Sequence, residues 1–165
     1  MEWKERGTMQ NRGYSNITIA MKTVRMYADG GSRGNPGPAA GAAVLFALSA
    51  TGEQGERVGD AAKYIGIDTN NQAEYTGIVI GLQKALDLGY EAVDVRLDSE
   101  LAVKQINGIY KVKNPEIAKR FLEVHNLRTK FQKVTFSHVF REQNVAADAL
   151  VNATLDAMGT RKSNR

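Results

Sequence analysis

Four acidic residues of this chain have the spacing and the surroundings of a metal-binding set. Asp29 and Asp98 each come directly after a short β-type run, and Glu74 and Asp148 lie in the early turns of two predicted helices. Carboxylates that crowd together raise one another's pKa values, so four of them cannot all stay ionised without a cation. The chain contains no cysteine and two histidines. We therefore expect oxygen ligands and a hard divalent ion, Mg²⁺ or Mn²⁺, rather than zinc.

The segment after Asp29 strengthens this interpretation. Its nine residues, GGSRGNPGP, include four glycines and two prolines, which favour turns and close backbone approach. A strand end followed by such a loop presents backbone N–H groups to an anion, while the adjoining carboxylate holds a cation. The stretch predicts a site for phosphate and metal, although by itself it also fits a hairpin loop with an incidental acid.

The composition fits a single globular domain. Of the 165 residues, 42% are hydrophobic and 24% are charged, which is enough apolar material for one core. The formal charge of +4 and the pI near 9.3 weakly favour a polyanionic partner. The lack of cysteine excludes disulfides and thiolate metal sites.

The two termini differ from the rest of the chain. Residues 1–20 mix charged and polar residues with no continuous apolar run, so they match neither a signal peptide nor a membrane span. We expect a disordered N-terminal extension here, a domain over residues 21–158 and a frayed basic tail over residues 159–165. No membrane association is expected, and a cytoplasmic location follows by default.

Alternating and helical hydrophobic patterns divide residues 21–158 into strands and helices. The order is βββαβαβα, which predicts an α/β fold with a five-stranded mixed sheet, its first three strands antiparallel and helices on both faces. Predicted strands cover residues 24–29, 39–48, 56–65, 92–97 and 133–140. The first predicted helix follows the cap-type residues at 69–72 and ends at Gly89, and the others cover 101–107, 115–131 and 144–158.

These elements give each acid a defined place. Asp29 and Asp98 lie at the C-terminal ends of strands, where open α/β sheets bind ligands. Glu74 falls in the first turn of its helix on the same face as the apolar stripe, so its carboxylate points towards whatever that stripe packs on. The alternative for Glu74 is a capping acid that the helix dipole favours. Asp148 lies in the second turn of the last helix.

Four motifs in register carry a family resemblance. They are YADGGSRGNPGP at residues 27–38, TNNQAE at 69–74, LDSE at 97–100 and REQNVAADAL at 141–150. In order and spacing they cover about residues 22–157. Together they resemble the type 1 ribonuclease H family, in the compact form common in archaea and many bacteria. The family's order of elements is also the order predicted above.

The resemblance implies an endonuclease that hydrolyses the RNA strand of RNA–DNA hybrids and leaves 5′-phosphate and 3′-hydroxyl ends. The positions of the family's four catalytic, metal-binding carboxylates are occupied by Asp29, Glu74, Asp98 and Asp148. On that mapping Asp29 bridges two Mg²⁺ ions and Asp148 serves the ion that activates water. Glu74 and Asp98 serve the ion at the leaving oxygen. Two ions compensate charge at both oxygens of an in-line displacement, and Mn²⁺ would serve as a substitute.

The resemblance also implies substrate contacts that read sugar and shape. The backbone of the glycine pair and the Glu74 carboxylate meet ribose 2′-hydroxyls. Asn70 and Asn71 reach base edges in the minor groove, and Thr69 with Asn35 holds a DNA-strand phosphate. The substrate-binding residues on this mapping are Gly30, Gly31, Ser32, Asn35, Thr69, Asn70, Asn71 and Glu100.

Three features depart from the family pattern. Glu100 stands where many relatives carry Gln, and it adds a negative charge near a phosphate path. The connector over residues 108–115 is too short for the basic helix that some bacterial relatives use as a substrate handle, which predicts weaker and more salt-sensitive binding. His138 has the spacing of a mobile catalytic histidine, but the pattern over residues 136–140 predicts a continuous strand. We therefore predict a structural role for His138 and expect Arg141 to be the basic group nearest the metal ions.

Two alternatives remain at this stage. A non-catalytic nucleic-acid-binding module could keep the fold without turnover, and a nuclease of the same fold could act on double-stranded RNA or on DNA, as integrases and junction resolvases do. The four acids argue against the first alternative, and the asparagine pair with the glycine segment favours a hybrid substrate. The expected partner is an RNA–DNA hybrid, with double-stranded RNA left open as a second substrate and no obligatory protein partner evident.

Overall fold

The computed structural model describes residues 21–163, with side chains as far as Gly159. The predicted extension over residues 1–20 lies outside the described residues. The predicted tail is helical as far as Ser163, since the last helix continues beyond its predicted end. Within residues 21–163 no helix is both long enough and apolar enough to cross a membrane.

Five strands and four α-helices make up the described part of the chain. The strands are β1 (Thr23–Ser32), β2 (Gly37–Leu48), β3 (Gln54–Asp68), β4 (Ala92–Leu97) and β5 (Lys133–His138). The helices are α1 (Asn70–Asp87), α2 (Glu100–Ile106), α3 (Pro115–Arg128) and α4 (Val145–Ser163), and a 3₁₀ turn, Arg141–Gln143, precedes α4. Two helices connect β4 to β5, at the places of the helices predicted over residues 101–107 and 115–131. The full order is therefore βββαβααβα, whereas the predicted order βββαβαβα counts one helix in this connection.

All five strands belong to one mixed sheet with the spatial order β3-β2-β1-β4-β5. β1 pairs antiparallel with β2, and β2 pairs antiparallel with β3. β1 pairs in parallel with β4, and β4 pairs in parallel with β5. The predicted mixed sheet is therefore confirmed, and β1 lies at its centre between one antiparallel and one parallel neighbour.

Helices cover both faces of the sheet, and each face has its own core. On one face the buried side chains of β1 and β4 pack against Tyr75, Ile78 and Leu82 of α1. On the other face α4 places Val151 and Leu155 over small alanines of β2. α1, which carries Glu74, and α4, which carries Asp148, thus lie on opposite faces of the sheet. The two acids can meet only beyond the ends of the strands.

α1 approaches the sheet backbone at three glycines, Gly30 and Gly41 of the sheet and Gly77 of the helix. A Cβ added to Gly30 of β1 would overlap the backbone of Ala73 and Glu74 in α1. A Cβ added to Gly77 of α1 would lie 2.5 Å from the backbone oxygen of Asp29. Only residues without a Cβ allow the two backbones to lie this close together. The approach places Glu74 beside Asp29.

The strands around the glycine-rich segment differ from the prediction. Residues 30–32 of β1 pair with residues 39–41 of β2, so most of the predicted loop is antiparallel sheet and the loop itself is residues 33–36. β3 also runs further than predicted, whereas β5 ends at His138 and not at Phe140. Glycine-rich composition concealed the pairing because a β-ladder is made by backbone groups and does not require side chains.

Gly77→Ala tests the close approach of α1 to the sheet. We expect the free energy of unfolding to fall by about 1–3 kcal/mol, because overpacking has that cost even though alanine favours helices over glycine. Urea unfolding followed by circular dichroism measures the change. The matched control is Gly159→Ala in α4, where an added Cβ meets nothing within 4 Å, and it should be neutral or slightly stabilising. Equal stabilities of the two variants would contradict the contact.

Candidate active site

A cavity of about 540 Å³ opens where the parallel pairing of β1 with β4 ends, just beyond Ala28 and Leu97. All four predicted acids line it: Asp29, Glu74, Asp98 and Asp148. The other lining residues are Gly30, Gly31, Ser32, Arg33, Asn70, Ser99, Arg141, Val151, Asn152 and Leu155. The structure therefore brings together acids from four separate segments of the chain.

Asp29 and Asp98 are neighbours because β1 and β4 run parallel. The ladder between the two strands ends with the pair Ala28 and Leu97, so the next residue on each chain segment is an acid. The prediction that Asp29 ends its strand is wrong, since β1 continues to pair with β2 and Asp29 lies opposite Ala42. Loss of the parallel neighbour opens this edge, while the ladder with β2 keeps the Asp29 backbone fixed.

α1 carries Glu74 in its second turn, so the prediction that Glu74 lies in the first turn is wrong. Thr69 caps the helix by accepting a 3.2 Å hydrogen bond from the backbone N–H of Gln72, so the helix begins at Asn70. Thr69 thus performs the capping role that the sequence left open for Glu74. Ser99, the cap of α2, has a side chain that partly opposes the rise in the pKa of the Glu74 carboxyl group. Both Glu74 and Ser99 line the cavity.

Asp148 is placed by a buried asparagine that the sequence analysis did not single out. The Asn144 side chain is fully buried, and its Nδ2 donates a 3.0 Å hydrogen bond to the backbone oxygen of Ala28. The backbone oxygen of Asn144 accepts the N–H of Asp148 at 3.1 Å, in the first turn of α4 rather than the predicted second. Asn144 thereby ties the backbone next to Asp29 to the turn that carries Asp148. A cap-type residue before a helical run was the available signal.

Two of the four acids, Asp29 and Glu74, have raised pKa values. Burial and then the charge of Asp98 raise the pKa of Asp29 from its ordinary 3.8 to about 8. A hydrogen bond from the Gly30 backbone N–H opposes the rise, and the charges of Asp148 and Glu74 add to it. Burial, with a smaller contribution from Asp98, raises the pKa of Glu74 to about 7. Asp29 is the electrostatic centre of the site, because it interacts with all three other acids.

The donor set fits a hard divalent cation. All four side chains are carboxylates, and a cation between them would favour their ionised forms at neutral pH. Within residues 21–159, no three His, Cys, Asp or Glu side chains are grouped tightly enough as they stand to hold one ion in common. Carboxylates that repel one another turn apart, so binding of an ion would have to draw them together by rotation of their side chains.

Hydrogen bonds link the predicted substrate-binding residues beside the cavity. The Ser32 backbone N–H donates to Asn70 Oδ1 at 2.7 Å, and the Asn70 N–H donates to Asn35 Oδ1 at 3.0 Å. The Ser32 hydroxyl donates to the backbone oxygen of Asp68 at 2.7 Å. These bonds join the end of β1 to the start of α1. They also orient both asparagine side chains, whose oxygens are used within the protein.

A second cavity, of about 600 Å³, adjoins the first along the start of α1. The predicted contact residues Asn35, Thr69 and Asn71 line this second cavity. Asn70 and Glu74 line both cavities. The cavity that the four acids line therefore adjoins, through Asn70 and Glu74, the surface to which the resemblance assigns substrate binding.

The three remaining predicted residues are placed differently. Glu100 is exposed, lines neither of the two cavities and pairs with Lys104 at 2.7 Å. His138 is also exposed and outside both cavities, and its ring packs edge-on against Phe140. Arg141 lines the first cavity. Of the two candidate auxiliary residues, Arg141 is the one that lies with the acids.

Comparison with known proteins assigns this arrangement to a family. The family model described as "Reverse transcriptase-like" matches residues 28–154, which is more than half of the chain and includes all four acids. Ribonuclease HI of Halobacterium salinarum is 40% identical over 133 residues, or 81% of this chain and 64% of that protein. The crystal structure of RNase H1 from the same archaeon has a TM-score of 0.75 at 39% identity, covering 82% of this chain and 98% of that one. The chain belongs to the type 1 ribonuclease H family.

Two further ribonuclease H relatives define how far the likeness extends. The bifunctional protein Rv2228c of Mycobacterium tuberculosis is 40% identical over 137 residues, which is 83% of this chain but 36% of that protein. This chain therefore spans about a third of that relative's length. LC11-RNase H1, solved in complex with an RNA/DNA hybrid, has a TM-score of 0.74 at 36% identity and covers 82% of this chain and 98% of that one.

Without metal, this ribonuclease H fold should lose stability as the pH rises. A carboxyl group whose pKa is raised on folding binds more protons in the folded chain, so its stabilisation is complete below about pH 4 and is lost as the pH passes through 7 to 8. Asp29→Asn removes the larger of the two shifts. We expect its melting temperature in EDTA to exceed that of the wild type at pH 8, by about 2–4 °C for each kcal/mol, and to match it at pH 4.

The control for this pH experiment is Asp60→Asn, which changes an exposed acid on β3. Differential scanning fluorimetry between pH 4 and 9 should show little difference between this control and the wild type. Parallel pH profiles for Asp29→Asn and the wild type would contradict the raised pKa of Asp29.

Proposed function

We propose that this chain is an endonuclease that hydrolyses the RNA strand of RNA–DNA hybrids and leaves 5′-phosphate and 3′-hydroxyl ends. The observation that carries the proposal is the meeting of four acids in one cavity of a type 1 ribonuclease H fold. The hybrid is the proposed substrate because LC11-RNase H1, which is similar over most of this chain, was solved in complex with one. The raised pKa values of Asp29 and Glu74 show that this cluster does not stabilise the fold at neutral pH, and we infer that the four acids serve to bind cations.

The acids Asp29, Glu74, Asp98 and Asp148 would together hold divalent ions, Mg²⁺ with Mn²⁺ as a substitute. When bound, two such ions would neutralise charge on the reacting phosphoryl oxygens and lower the pKa of the attacking water. The chain's own part is to fix the positions of the ligands. The Asn144 side chain links β1 to the start of α4 and so helps to set the separation between Asp29 and Asp148.

The second cavity, which adjoins the cavity of the four acids, offers hydrogen-bond donors to a duplex. Asn35 and Asn70 use their side-chain oxygens within the protein, which leaves their NH₂ groups to donate. The Thr69 hydroxyl accepts a backbone N–H through its oxygen and keeps its own proton to donate. Phosphate oxygens and most polar atoms of the minor-groove base edges are acceptors, the exception being the N2 amino group of guanine. Such contacts read sugar and shape, so we expect little sequence preference.

Cleavage of a labelled hybrid with and without Mg²⁺ tests the proposal. Wild type should cut the RNA strand in a metal-dependent manner, and Asp98→Asn should lose more than about 100-fold in rate, since even changes behind a metal ligand cost 10–100-fold. Binding of the hybrid by Asp98→Asn should survive, because the change removes one negative charge and keeps the side chain's shape. Asp60→Asn, which changes an acid of β3 that lines neither cavity, serves as the control. Matched double-stranded RNA and DNA define the substrate range.

A second readout separates loss of metal from loss of substrate. Mg²⁺ should raise the melting temperature of the wild type at pH 8, because an ion that binds only the folded chain stabilises it. The increase should be smaller for Asp29→Asn.

Normal turnover by Asp98→Asn would remove that acid from the proposed site. Hybrid binding with no cleavage in Mg²⁺ or Mn²⁺ would favour the second candidate, a binding module, which is consistent with side chains that are not grouped around an ion as they stand.

Arg141 and His138 can be compared directly in the same assay. Arg141 lines the cavity with the acids, whereas His138 does not. We expect Arg141→Ala to lose about 10-fold in kcat/KM, equivalent to about 1.4 kcal/mol of transition-state stabilisation. His138→Ala should retain most activity, because His138 lies outside the cavity. Loss of a general acid or base would instead lower the rate by about 10²–10⁴-fold. The reverse ranking would restore a catalytic histidine.

A further inference from the structure

Arg33 is a cation on the rim of the active-site cavity that none of the roles above uses. It follows β1 directly, and its backbone N–H donates to the oxygen of Pro38 at 2.9 Å, which fixes the start of the side chain. Its guanidinium reaches across to α4. There Nη2 lies 2.7 Å from Asp156 Oδ1, and 3.5 and 3.4 Å from the backbone and side-chain oxygens of Asn152. Asn152 in turn donates to the backbone oxygen of Asp148 at 3.1 Å.

The pair that Arg33 makes with Asp156 is weak enough to be exchanged. The two side chains are 47% and 68% exposed. Ion pairs at this exposure gain little in water, and salt screens them further. The contacts to Asn152 are long for hydrogen bonds. Arg33 is therefore held near the cavity without being committed to a partner there.

The chemistry of the cavity favours a phosphate as the alternative partner. Among the described residues that line it, four are acids and two, Arg33 and Arg141, are cations. A guanidinium binds carboxylate and phosphate oxygens with the same planar geometry. The Asp156 oxygen at 2.7 Å thus occupies a place that a phosphate oxygen could take. If the acids of this cavity cleave the RNA strand, as proposed above, that strand passes through the cavity that Arg33 lines.

We propose that Arg33 binds a backbone phosphate of the RNA strand on the Asp148 side of the active site and releases Asp156 when it does so. The inference rests on the proposed function, because it requires a hybrid in the cavity. Arg33 raises affinity and holds the strand in register, and Asp156 competes with the substrate for the same guanidinium. The two residues of one ion pair therefore have opposite effects on binding.

The chain supplies a matched control for Arg33. Arg57 on β3 pairs with Asp60 at 2.8 Å, and the two side chains are 45% and 51% exposed. Neither residue lines the active-site cavity or the cavity next to it. Arg57→Ala removes the same charge and breaks a similar ion pair, so any difference between Arg33→Ala and Arg57→Ala comes from the place of the residue.

The experiment measures kcat and KM for a labelled hybrid at several salt concentrations. We expect Arg33→Ala to raise KM about 5–20-fold with kcat nearly unchanged, and to lower the slope of log affinity against log salt by about one, as loss of one phosphate contact does. Arg57→Ala should change neither. Asp156→Asn should lower KM, because it removes the competitor. Arg33→Lys should keep the salt slope and recover part of the affinity.

The outcomes distinguish this inference from the proposed function. If the wild type neither binds nor cuts a hybrid, the proposed function fails and the assignment of Arg33 fails with it. If the wild type cuts the hybrid but Arg33→Ala behaves as Arg57→Ala does, the assignment alone is overturned. It is also overturned if Arg33→Ala and Asp156→Asn weaken binding alike, since a merely structural pair would be damaged equally from either side.

Discussion

Repulsion between four carboxylates is the interaction on which the rest of this structure depends. Asp29 is 9% exposed, and the other three acids all raise its pKa. Such a cluster is unfavourable without a cation, so the elements that carry it must be held by other contacts. Most of these are backbone contacts: the ladders of β1 with β2 and β4, and the approach of α1 at Gly30 and Gly77. Backbone contacts hold the acids close whatever their state of protonation.

Asn144 adds a polar link between the central strand β1 and the start of α4. Its Nδ2 is hydrogen-bonded to Ala28, but its Oδ1 is buried and has no partner in the part of the chain that the structure describes. A buried polar atom without a partner costs about 1–3 kcal/mol. An apolar side chain would avoid that cost, but it would leave the Ala28 oxygen unpaired and remove the link between β1 and α4. The unfavourable burial of Asn144 Oδ1 thus accompanies a side chain that positions Asp148 relative to Asp29.

The order of elements and the four acids could be predicted because both follow from local patterns and motif spacing. The place of Asp29 inside β1 could not, because pairing of residues 30–32 depends on a partner strand. Several cap-type residues precede α1, and only the hydrogen bond of Thr69 decides where the helix begins. Asn144 and Arg33 escaped notice for a related reason: each acquires its role from a partner distant in sequence, which only tertiary folding brings beside it.

The short connection between β5 and α4 decides which basic residue lies beside the acids. The residue after His138 still pairs with β4, through a 2.8 Å backbone hydrogen bond, and Asn144 anchors the other end. One 3₁₀ turn remains between these anchors and carries Arg141 to the cavity, while His138 stays at the end of β5, outside the cavity. An imidazole exchanges protons near neutral pH, whereas a guanidinium stays charged. In the proposed reaction Arg141 can therefore orient or neutralise a phosphate but cannot transfer a proton, so proton transfer would fall to water and the acids.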